Sequence, residues 1–561
     1  MTGSNRLSES PRLPIRSDLG WLCLASTVGG IVAFAYVTTH VHPAYEGGLF
    51  LQIVQEIQGH DYALPTQIPY YTRGGVPFAY PPLVFYLVAV IIDVTGVDPL
   101  TLMLYLPPLV TVMSLFPYYA TAKELLESTP QAGVATVLYA TTPAALRWHL
   151  SAGGLVRAPA IFLALAGTYV GVRLFKGGER RWLLPGTLLF GLTILTHPHY
   201  TAFFGVSYLV LFGFYDRTRR GLFAGAAVAL GGALLASPWW LSVITTHGAD
   251  TITAASGTHK GLVGGLTRLS VLLVHPLIAM DAATPFYALA ILGSVSLLRR
   301  RRYVLPTWLL VSAAVIGKAR FVFVPGAMAS AVFLFETVLT TDRLPDVLRN
   351  GDRRALLLVV VILVGATTAG AMFAGSALNI NHQNSDTQPQ TVDSADRDAM
   401  AWARQDTADS ASFVVLGDTA EWFPYLTQRT GVIGPWGVEW TSSERYYREI
   451  RIFERVSTCQ SEACLTWTLA RADRHPEYVY VPKDEYTVRG KEYVGSSSLR
   501  SSLESSRRYE LAYENEGVAV FAVLDGGNER LSPRTMEMGG HHPRTMEMEG
   551  YRPRTTVRER A

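Results

Sequence analysis

The sequence predicts a mainly α protein: a polytopic membrane helix bundle of about 11–13 spans with a small extracytoplasmic α/β domain at the C-terminus. Its apolar residues cluster into runs of about 15–22, the length that a helix needs to cross a bilayer. Only 17% of the residues are charged, against roughly 25% in a typical soluble domain. Strand-like and helical patterns alternate after residue 395, which is typical of a folded domain in water.

The first apolar run, 19–39, is expected to remain as a membrane helix, because no small-residue cleavage site of a signal peptide follows it. A shorter apolar piece at 266–280 is a candidate re-entrant segment. The other predicted spans are 81–97, 100–120, 131–148, 155–174, 182–196, 200–215, 221–245, 284–298, 303–317, 321–340 and 355–378.

Four basic clusters report the orientation of the bundle. By the positive-inside rule they face the cytoplasm, as does the N-terminus, and everything after about residue 379 is then extracytoplasmic. Five predicted spans precede the first cluster, and five cannot join two cytoplasmic points. One early segment must therefore be re-entrant, split or misassigned. The clusters are Arg173/Lys176/Arg180/Arg181, Arg217/Arg219/Arg220, Arg299 to Arg302, and Arg343/Arg349/Arg353/Arg354.

The chain divides into several predicted regions. In the α/β domain, strands are expected at 412–416, 477–481 and 518–523, with helices at 395–405, 442–456 and 462–472. The last region repeats PRTMEM with a ten-residue period, a composition typical of disorder. The regions are a cytoplasmic tail (1–18), the membrane bundle (19–380) with its first outer loop (40–80), a polar linker (381–394), the α/β domain (395–525) and the repeat tail (526–561).

The net charge of +3 is unevenly distributed. From Asp396 to Asp525 there are 21 acidic and 15 basic residues, a net charge of −6, which leaves +9 for the rest of the chain. The positive excess lies in loops that flank the membrane, without the interleaved aromatic residues that would indicate a nucleic-acid partner. Cys459 and Cys464 lie in the outer domain, where thiols oxidise, and are expected to form a local disulfide.

The short loops on the outer side carry cations that no topological rule requires there. They include 149–157 (HLSAGGLVR), 197–199 (HPH) and 318–320 (KAR). Together they would ring the outer mouth of the bundle with positive charge facing Glu46, a suitable seat for an anionic, membrane-anchored substrate. The alternative is that these cations are interfacial snorkelling residues or caps on helix C-termini.

The first outer loop begins with HVHPAYEGGLFLQIVQEI, in which Glu46 and a Gly-Gly pair precede an amphipathic helix. This helix is expected to lie along the membrane surface. Aromatic residues collect before the second span, and they form either an ordinary interfacial belt or a wall that stacks on sugar or lipid, with Tyr71 and Tyr80 as the candidates for that wall.

Several motifs of this region resemble one superfamily. They are the acid just beyond the first span, the surface helix ending in GHDYALP, the GGVPFAYPPL sequence that leads into the second span, and the THP turn at Thr196-His197-Pro198. In these motifs the chain resembles the GT-C class of membrane glycosyltransferases, which includes protein O-mannosyltransferases, lipid A aminoarabinose transferases and oligosaccharyltransferase catalytic subunits. Archaeal multi-pass members are the most similar. The resemblance implies a hexosyltransferase-type enzyme of the cell membrane. It would move a sugar from a polyprenyl (dolichyl) phosphate to a lipid, glycan or protein acceptor on the outer face.

The resemblance also implies roles for individual residues. Glu46 stands where the class keeps its acid, and Asp61 is the reserve candidate. Members usually have Asp there, often beside a second acid, whereas this sequence has no Asp-x-Asp motif. Inverting glycosyl transfer requires a carboxylate to take the proton of the acceptor hydroxyl, worth roughly 10²–10⁴ in rate, and cations to stabilise the departing lipid phosphate. The predicted phosphate contacts are Arg73, His197, His199, Lys318 and Arg320.

Other interpretations remain open at this point. Glu46 is also a favourable charge for a helix N-terminus, and His197-Pro198 is also an ordinary turn. His40, His42 and Glu46 are a candidate ligand set for a divalent metal, and no other cofactor is predicted. Two further functional classes compete: a transporter or lipid flippase, and a non-catalytic membrane scaffold or sensor with an outer interaction domain.

Overall fold

The computed structural model describes residues 17–258, 283–338, 390–490 and 492–524, together with the single positions 269, 274 and 365. Apart from those positions, the predicted segments 266–280 and 355–378 lie outside the described residues, as do most of the linker and the repeat tail. The helices before residue 340 are α1 (Asp18–Thr39), α2 (Gly48–Gly59), α3 (Leu83–Thr95), α4 (Pro99–Met113), α5 (Leu115–Leu126), α6 (Thr129–Thr141), α7 (Pro143–Leu150), α8 (Gly154–Phe175), α9 (Leu183–Ile194), α10 (Pro198–Tyr215), α11 (Arg219–Leu235), α12 (Ser237–His247), α13 (Asp250–Thr258), α14 (Thr284–Arg299), α15 (Val304–Val311) and α16 (Ala319–Phe333).

Among the described residues, four helical segments are long and apolar enough to cross a membrane. They are α1, the α4–α5 pair, α8, and α16 with its π-helical extension to Val338. Helices α11 and α12, which meet at 58°, form a fifth if they are one bent span. Other predicted spans are shorter or interrupted: 131–148 breaks at Thr142, whose extended backbone is typical of a residue before proline.

Ion pairs bring three helix ends together. Lys123 near the end of α5 pairs with Asp18 at the start of α1. Arg173 near the end of α8 pairs with Glu124 at 2.8 Å, and Lys176 pairs with Glu127 at 2.6 Å. The start of α1 and the ends of α5 and α8 therefore lie at the same end of the bundle.

Helix α3 is too short to cross a membrane. Its 13 residues span about 20 Å, well short of a hydrocarbon core of roughly 30 Å. Gln58 at the end of α2 donates to Asp93 near the end of α3 at 2.6 Å, and Tyr62 donates to the same carboxylate. Helix α3 thus packs along α2. If 81–97 does not cross the membrane, four of the predicted spans remain between Asp18 and Arg173, an even number, as the positive-inside rule requires.

Helix α2 is confirmed as an amphipathic helix, but protein covers its apolar face. The buried side chains of α2 belong to a cluster that includes Phe85 of α3 together with Trp422 and Val438 from the C-terminal domain. The apolar face therefore packs against these two elements, and the position of α2 along the membrane surface stays a prediction.

The C-terminal domain is the predicted α/β fold. Its sheet has the order β4-β3-β5-β9-β8, with β3 parallel to both neighbours and β9 antiparallel to both of its own. The three predicted strands are confirmed, whereas the short strands and the exposed β8 carry too little apolar pattern to be predicted. The elements are α17 (Ser394–Asp406), β3 (Ser412–Val415), α18 (Phe423–Thr427), β4 (Thr430–Gly431), α19 (Ser443–Ser457), α20 (Glu462–Arg471), β5 (Tyr478–Pro482), a hairpin of β6 (Tyr486–Val488) and β7 (Glu492–Val494), α21 (Ser497–Glu504), β8 (Tyr509–Glu514) and β9 (Val518–Val523); the first outer loop adds a hairpin of β1 (Gln67–Ile68) and β2 (Val76–Pro77).

The predicted cysteine pair is joined in this domain. Cys459 and Cys464 form a disulfide between α19 and α20, with their Cα atoms 5.6 Å apart. Cys459 is buried in the domain core, which also contains Leu465 and Phe453. The bond therefore fixes the turn between two helices that pack on the same core.

Candidate functional site

The N-terminus of α2 is docked onto the C-terminal domain. The Glu421 carboxylate accepts three backbone hydrogen bonds there: Gly47 N and Gly48 N donate to Oε2, and Leu49 N donates to Oε1, all at 2.8 Å. A carboxylate at this position also complements the positive end of the helix dipole. The loop that carries Glu46 is therefore held in place by an acid from a distant part of the chain.

The Gly-Gly pair is required by this close docking. A Cβ on Gly48 would lie 2.6 Å from the backbone oxygen of Glu421 and 2.7 Å from the Cα of Trp422. A Cβ on Gly47 would lie 2.6 Å from the side chains of Ala152 and Met103. Only glycine at both positions lets the α1–α2 loop approach the domain and the membrane helices together.

Two indoles complete the attachment of this loop. Trp422 Nε1 donates to the backbone oxygen of Tyr45 at 2.7 Å, and Trp436 Nε1 donates to Glu46 Oε1 at 3.1 Å. Glu46 itself is half-buried, so one side of its carboxylate is oriented by Trp436 while the residue stays accessible. The candidate acid is thus positioned by the C-terminal domain.

Three further acids from the C-terminal domain surround Glu46. Burial raises the pKa of Glu421 to about 8, against the opposing effect of its three backbone donors. Burial raises the pKa of Asp418 to about 7 and that of Glu439 to about 7. The negative charge of Glu46 adds to the rise in pKa in all three cases, so the four carboxyl groups lie close together.

These acids differ in their hydrogen-bond partners. Asp418 accepts hydrogen bonds from the Thr487 hydroxyl and from the backbone N–H groups of Arg489 and Gly490, which marks it as an anchor of the β6–β7 turn. Glu439 lies on a short 3-10 helix (Val438–Trp440), and no described residue donates to its buried Oε2. Glu439 is therefore a second buried acid, with one oxygen that no described residue satisfies.

Arg157, in the first turn of α8, lies directly beside the Glu46 loop. A Cβ built on Gly153 would be 1.8 Å from Arg157 Nη1 and 3.7 Å from the backbone oxygen of Glu46, so the missing side chain of Gly153 makes room for the guanidinium. The guanidinium lies over the Trp148 ring at 4.8 Å. No described residue accepts a hydrogen bond from its buried Nη1.

Arg320, near the start of α16, is the second buried cation. Its guanidinium lies over the ring of Tyr200 at 5.4 Å and over that of Phe321 at 5.2 Å. Only 6% of the residue is exposed, and no described residue accepts from its Nε. Burying a guanidinium whose N–H groups lack acceptors costs free energy, unless a bound anion accepts those hydrogen bonds.

Tyr80 links the cations to the acids. Burial raises the pKa of its hydroxyl, which also interacts electrostatically with Arg157, Glu439 and Arg320. Its ring packs edge-on against Trp440 at 5.7 Å and against His197 at 6.0 Å. The structure therefore brings together Glu46, Tyr80, His197 and Arg320 of the predicted site.

His199 and Lys318 are neighbours of this group. His199 N donates to His197 Nδ1 at 3.3 Å, which makes His197 the N-cap of α10, and the two imidazole rings are 5.5 Å apart. Lys318 is the residue before α16, two positions from Arg320, and is half-buried. Both remain candidates for the edge of the site.

The other predicted residues lie elsewhere. Asp61 is exposed in the turn after α2, so the length of this helix, about 18 Å, separates it from Glu46. Tyr71 is buried and donates to the backbone oxygen of Glu421 at 2.7 Å, which makes it a docking residue and leaves no face for a substrate. Arg73 lines a separate cavity with Arg445 and His247.

The candidate metal ligands His40, His42 and Glu46 do not form a metal-binding group among the described residues. His40 Nδ1 bonds to the backbone oxygen of Tyr36 at 2.9 Å, and its ring packs on that of Tyr36. His42 instead lies near Arg397 and Asp393; burial first and then Arg397 lower its pKa. Within the described residues, no group of three or more His, Cys, Asp or Glu side chains is placed to hold a metal ion.

Three residues near Glu46 were not predicted from the sequence as site residues: Arg157, Glu439 and Trp436. Arg157 was visible only as one of the outer-loop cations, and the Gly153-Gly154 pair before it is the signal for a tightly approached helix start. Glu439 and Trp436 lie nearly 400 positions from Glu46 in GPWGVEW, where no local pattern connects them to the first outer loop.

No known family model and no curated protein sequence matches the chain. Its fold is nevertheless similar to several solved structures. Oligosaccharyltransferase AglB from Archaeoglobus fulgidus, in complex with an inhibitory peptide and a dolichol-phosphate, is 13% identical with a TM-score of 0.52 over 82% of this chain and 69% of that chain. Apo ArnT from Cupriavidus metallidurans is 14% identical with a TM-score of 0.51 over 90% and 98%.

Arabinofuranosyltransferase AftD from Mycobacteria is 16% identical with a TM-score of 0.54 over 92% of this chain, which spans only 41% of AftD. These proteins are GT-C glycosyltransferases. The chain therefore has the GT-C fold, and the predicted architecture, a membrane helix bundle followed by a small α/β domain, is confirmed.

Proposed function

We propose that this GT-C-fold protein is an integral membrane glycosyltransferase that moves a sugar from a polyprenyl phosphate donor to a lipid, glycan or protein acceptor. Three solved proteins of similar fold are transferases or oligosaccharyltransferases, and AglB was solved with a dolichol-phosphate. The observation that carries the proposal is that Tyr80 interacts electrostatically with Arg157, Arg320 and Glu439, two guanidinia and an acid. Glu46 interacts in turn with Glu439, and its backbone lies beside Arg157.

The two arginines suit the phosphate of the donor. Each presents a buried N–H group that no described residue satisfies, and guanidinium forks match phosphate oxygens in geometry and charge. His197 adds an imidazole beside Tyr80. In this arrangement the phosphate would replace water on the arginines and complete their hydrogen bonding.

Glu46 is assigned as the general base. The acceptor hydroxyl loses its proton to the Glu46 carboxylate as its oxygen attacks the anomeric carbon of the sugar. The bond from that carbon to the phosphate oxygen breaks, and its electron pair leaves with the polyprenyl phosphate. Arg157 and Arg320 stabilise the negative charge that this phosphate gains. Trp436 holds Glu46 in position through its hydrogen bond to Oε1.

The proposal includes an orientation. Placing the Asp18, Lys123 and Arg173 end of the bundle in the cytoplasm satisfies the positive-inside rule, and four spans then lead back to the same side. Glu46, at the far end of α1, would face the extracytoplasmic side together with the C-terminal domain. The hexosyl nature of the sugar and the outer face of the cell membrane as its location belong to this proposal.

The test uses the full chain in lipid nanodiscs with a radiolabelled polyprenyl-phosphate hexose as donor and an added oligosaccharide as acceptor, and measures transfer of the label together with release of polyprenyl phosphate. Glu46→Gln is expected to lower the rate roughly 10²–10⁴-fold, because it removes the proton acceptor. Asp61→Asn, at the other end of α2, is expected to keep wild-type activity. Cells that carry a deletion or Glu46→Gln should show the same altered glycan profile. Unchanged glycans and lipid-linked sugars in the deletion strain would refute the proposal.

A further inference from the structure

A second polar cavity lies beside the proposed catalytic site. It has a volume of about 390 Å³ and opens to solvent between the β1–β2 hairpin, the end of α12 and the start of α19. Arg73, His247 and Arg445 line it, and no acidic side chain does so among the described residues. The volume is in the range of small-ligand sites in proteins. The cavity is therefore built for a group that carries negative charge.

The loop that presents Arg73 is held rigidly. Tyr70, Thr72, Gly74 and Gly75 all have positive φ angles between 66° and 93°. The backbone of this loop pairs with Gly431 of the C-terminal domain, which donates to Tyr70 O at 3.0 Å and accepts from Thr72 N at 3.0 Å. The guanidinium of Arg73 is thus attached to a fixed turn, which reduces the ordering cost of binding a ligand.

The cavity adjoins the acids of the proposed transferase. Thr441 on its wall follows the 3-10 helix that carries Glu439, and Pro77 on its opposite wall is three residues before Tyr80. Val76 packs against Gly437, where an added Cβ would lie 2.6 Å from the valine side chain. The cavity therefore shares the Thr441 and Pro77 segments with the neighbourhood of Glu439 and Tyr80.

The lining distinguishes a sugar from a lipid chain. Besides the two arginines and His247, the cavity offers the hydroxyl groups of Thr246 and Thr441. Among the described lining residues, Pro77 contributes the one purely apolar side chain. Hydroxyl and amide groups bond sugar hydroxyls, whereas an acyl chain requires an apolar wall. Arginine forks bind carboxylate and sulfate groups in a bidentate manner.

We infer that this cavity, defined by Arg73, His247 and Arg445, is an acceptor subsite that recognises an anionic sugar residue, a uronate or a sulfated sugar, of a glycan acceptor. The inference rests on the proposed transferase function and specifies its acceptor. The cavity holds the charged ring while the next hydroxyl of the glycan extends toward Glu46. Specificity follows because a neutral glycan would leave two guanidinia without the anion that completes them.

The test measures binding without any donor. The full chain in phosphatidylcholine nanodiscs is titrated with a short oligoglucuronate and with the matching neutral oligoglucose, at low and at high salt. We expect the wild type to bind oligoglucuronate, in a salt-sensitive manner, and to bind oligoglucose at least tenfold more weakly. Arg73→Gln and Arg445→Gln should each weaken binding roughly tenfold. Arg448→Gln, an exposed arginine on the same helix as Arg445, should bind like the wild type.

Donor turnover, measured separately, keeps the two proposals distinct. Arg448→Gln is expected to release polyprenyl phosphate from the donor at the wild-type rate, and the apparent Tm of Arg73→Gln and of Arg445→Gln should equal that of the wild type, which shows that they fold. Equal binding of the neutral and anionic oligosaccharides, or equal losses in Arg448→Gln and Arg445→Gln, would overturn the subsite. So would the loss of oligoglucuronate binding in nanodiscs with anionic lipid, because the cavity would then be a headgroup site. Each of these results leaves the transferase proposal standing.

Discussion

Trp436 Nε1 donates a hydrogen bond of 3.1 Å to Glu46 Oε1, across 390 positions of the sequence. The indole also packs edge-on against Phe453 at 5.1 Å, so its position is set by the core of the C-terminal domain. The candidate base in the membrane region is therefore oriented by a residue of the C-terminal domain. This arrangement makes the domain part of the site and predicts that changes in it alter the chemistry.

Trp436→Phe tests this relationship. Phenylalanine keeps an aromatic ring against Phe453 but removes the donor to Glu46. Because a hydrogen bond to a charged group is worth about 1.5 kcal/mol, we expect a decrease in kcat of about tenfold. The KM for the donor should hardly change, since the substitution leaves the proposed phosphate contacts Arg157 and Arg320 in place. The measurement is steady-state release of polyprenyl phosphate in nanodiscs.

Trp467→Phe is the matched control, because Trp467 lies on the surface of the same domain and is 49% exposed. It should retain the wild-type kcat. An equal decrease in both variants would mean that the effect arises from general destabilisation of the domain. A Trp436→Phe variant with unchanged kcat would show that Glu46 is positioned by other contacts.

Arg157→Gln tests the assignment of the phosphate site. The variant loses a buried cation beside the Glu46 loop, so the negative charge that develops on the phosphate loses one stabilising group. We expect the rate to fall roughly 10²–10³-fold, by analogy with the loss of one preorganised donor at a reacting oxyanion. Arg180→Gln, an exposed arginine just beyond the other end of α8, should have wild-type activity. If Arg157→Gln turns over the donor at the wild-type rate, Arg157 does not bind the phosphate and the phosphate site lies elsewhere.

Local pattern was sufficient for much of the fold, and it named Glu46 and Arg320 as candidates for the proposed site. The apolar runs predict the helices, the acid after the first run predicts Glu46, and the KAR loop predicts Arg320. Local pattern does not predict which surface covers an apolar helix face. Helix α2 would be amphipathic whether its apolar face met lipid or protein, and only the structure shows that Trp422 and Val438 pack on this face. Glu439 could not be connected to Glu46 because their approach depends on domain docking.

Gly48→Ala tests that docking. The added Cβ would meet backbone atoms of Glu421 and Trp422 at 2.6 and 2.7 Å, which cannot move as a flexible side chain could. We expect the contact between α2 and the C-terminal domain to lose about 1–3 kcal/mol. Hydrogen exchange at the amides of Gly47 to Leu49, measured by mass spectrometry, should become faster, and donor turnover should fall because Glu46 moves with this loop.

Gly59→Ala provides the control within the same helix. A Cβ on Gly59 meets no atom within 4 Å, so alanine should be neutral or stabilise α2 by up to about 1 kcal/mol. The two variants make the same chemical change at opposite ends of α2. Similar exchange rates in both would contradict the docking contact, since helix propensity alone would then explain the behaviour.

The pH dependence of stability follows from Glu439, whose pKa burial raises from the ordinary 4.5 to about 7. An unfolded chain ionises this group near its ordinary pKa, whereas the folded chain keeps it neutral. Its contribution to stability is therefore complete below about pH 4.5 and is lost as the pH rises to 7, by at most about 3 kcal/mol. Glu439→Gln stays neutral at every pH, so its apparent Tm should equal that of the wild type at pH 5 and exceed it at pH 8.

The buried and unsatisfied Oε2 of Glu439 makes this comparison informative, because glutamine loses no hydrogen bond that a described residue provides to that atom. Glu444→Gln changes an exposed acid on α19 by the same chemistry, and its Tm should follow the wild type at both pH values. A Tm difference between Glu439→Gln and wild type that is the same at pH 5 and pH 8 would show that burial does not oppose ionisation of Glu439. Below pH 7 the wild type would then carry an extra negative charge beside Glu46, which would weaken its hold on an anionic donor.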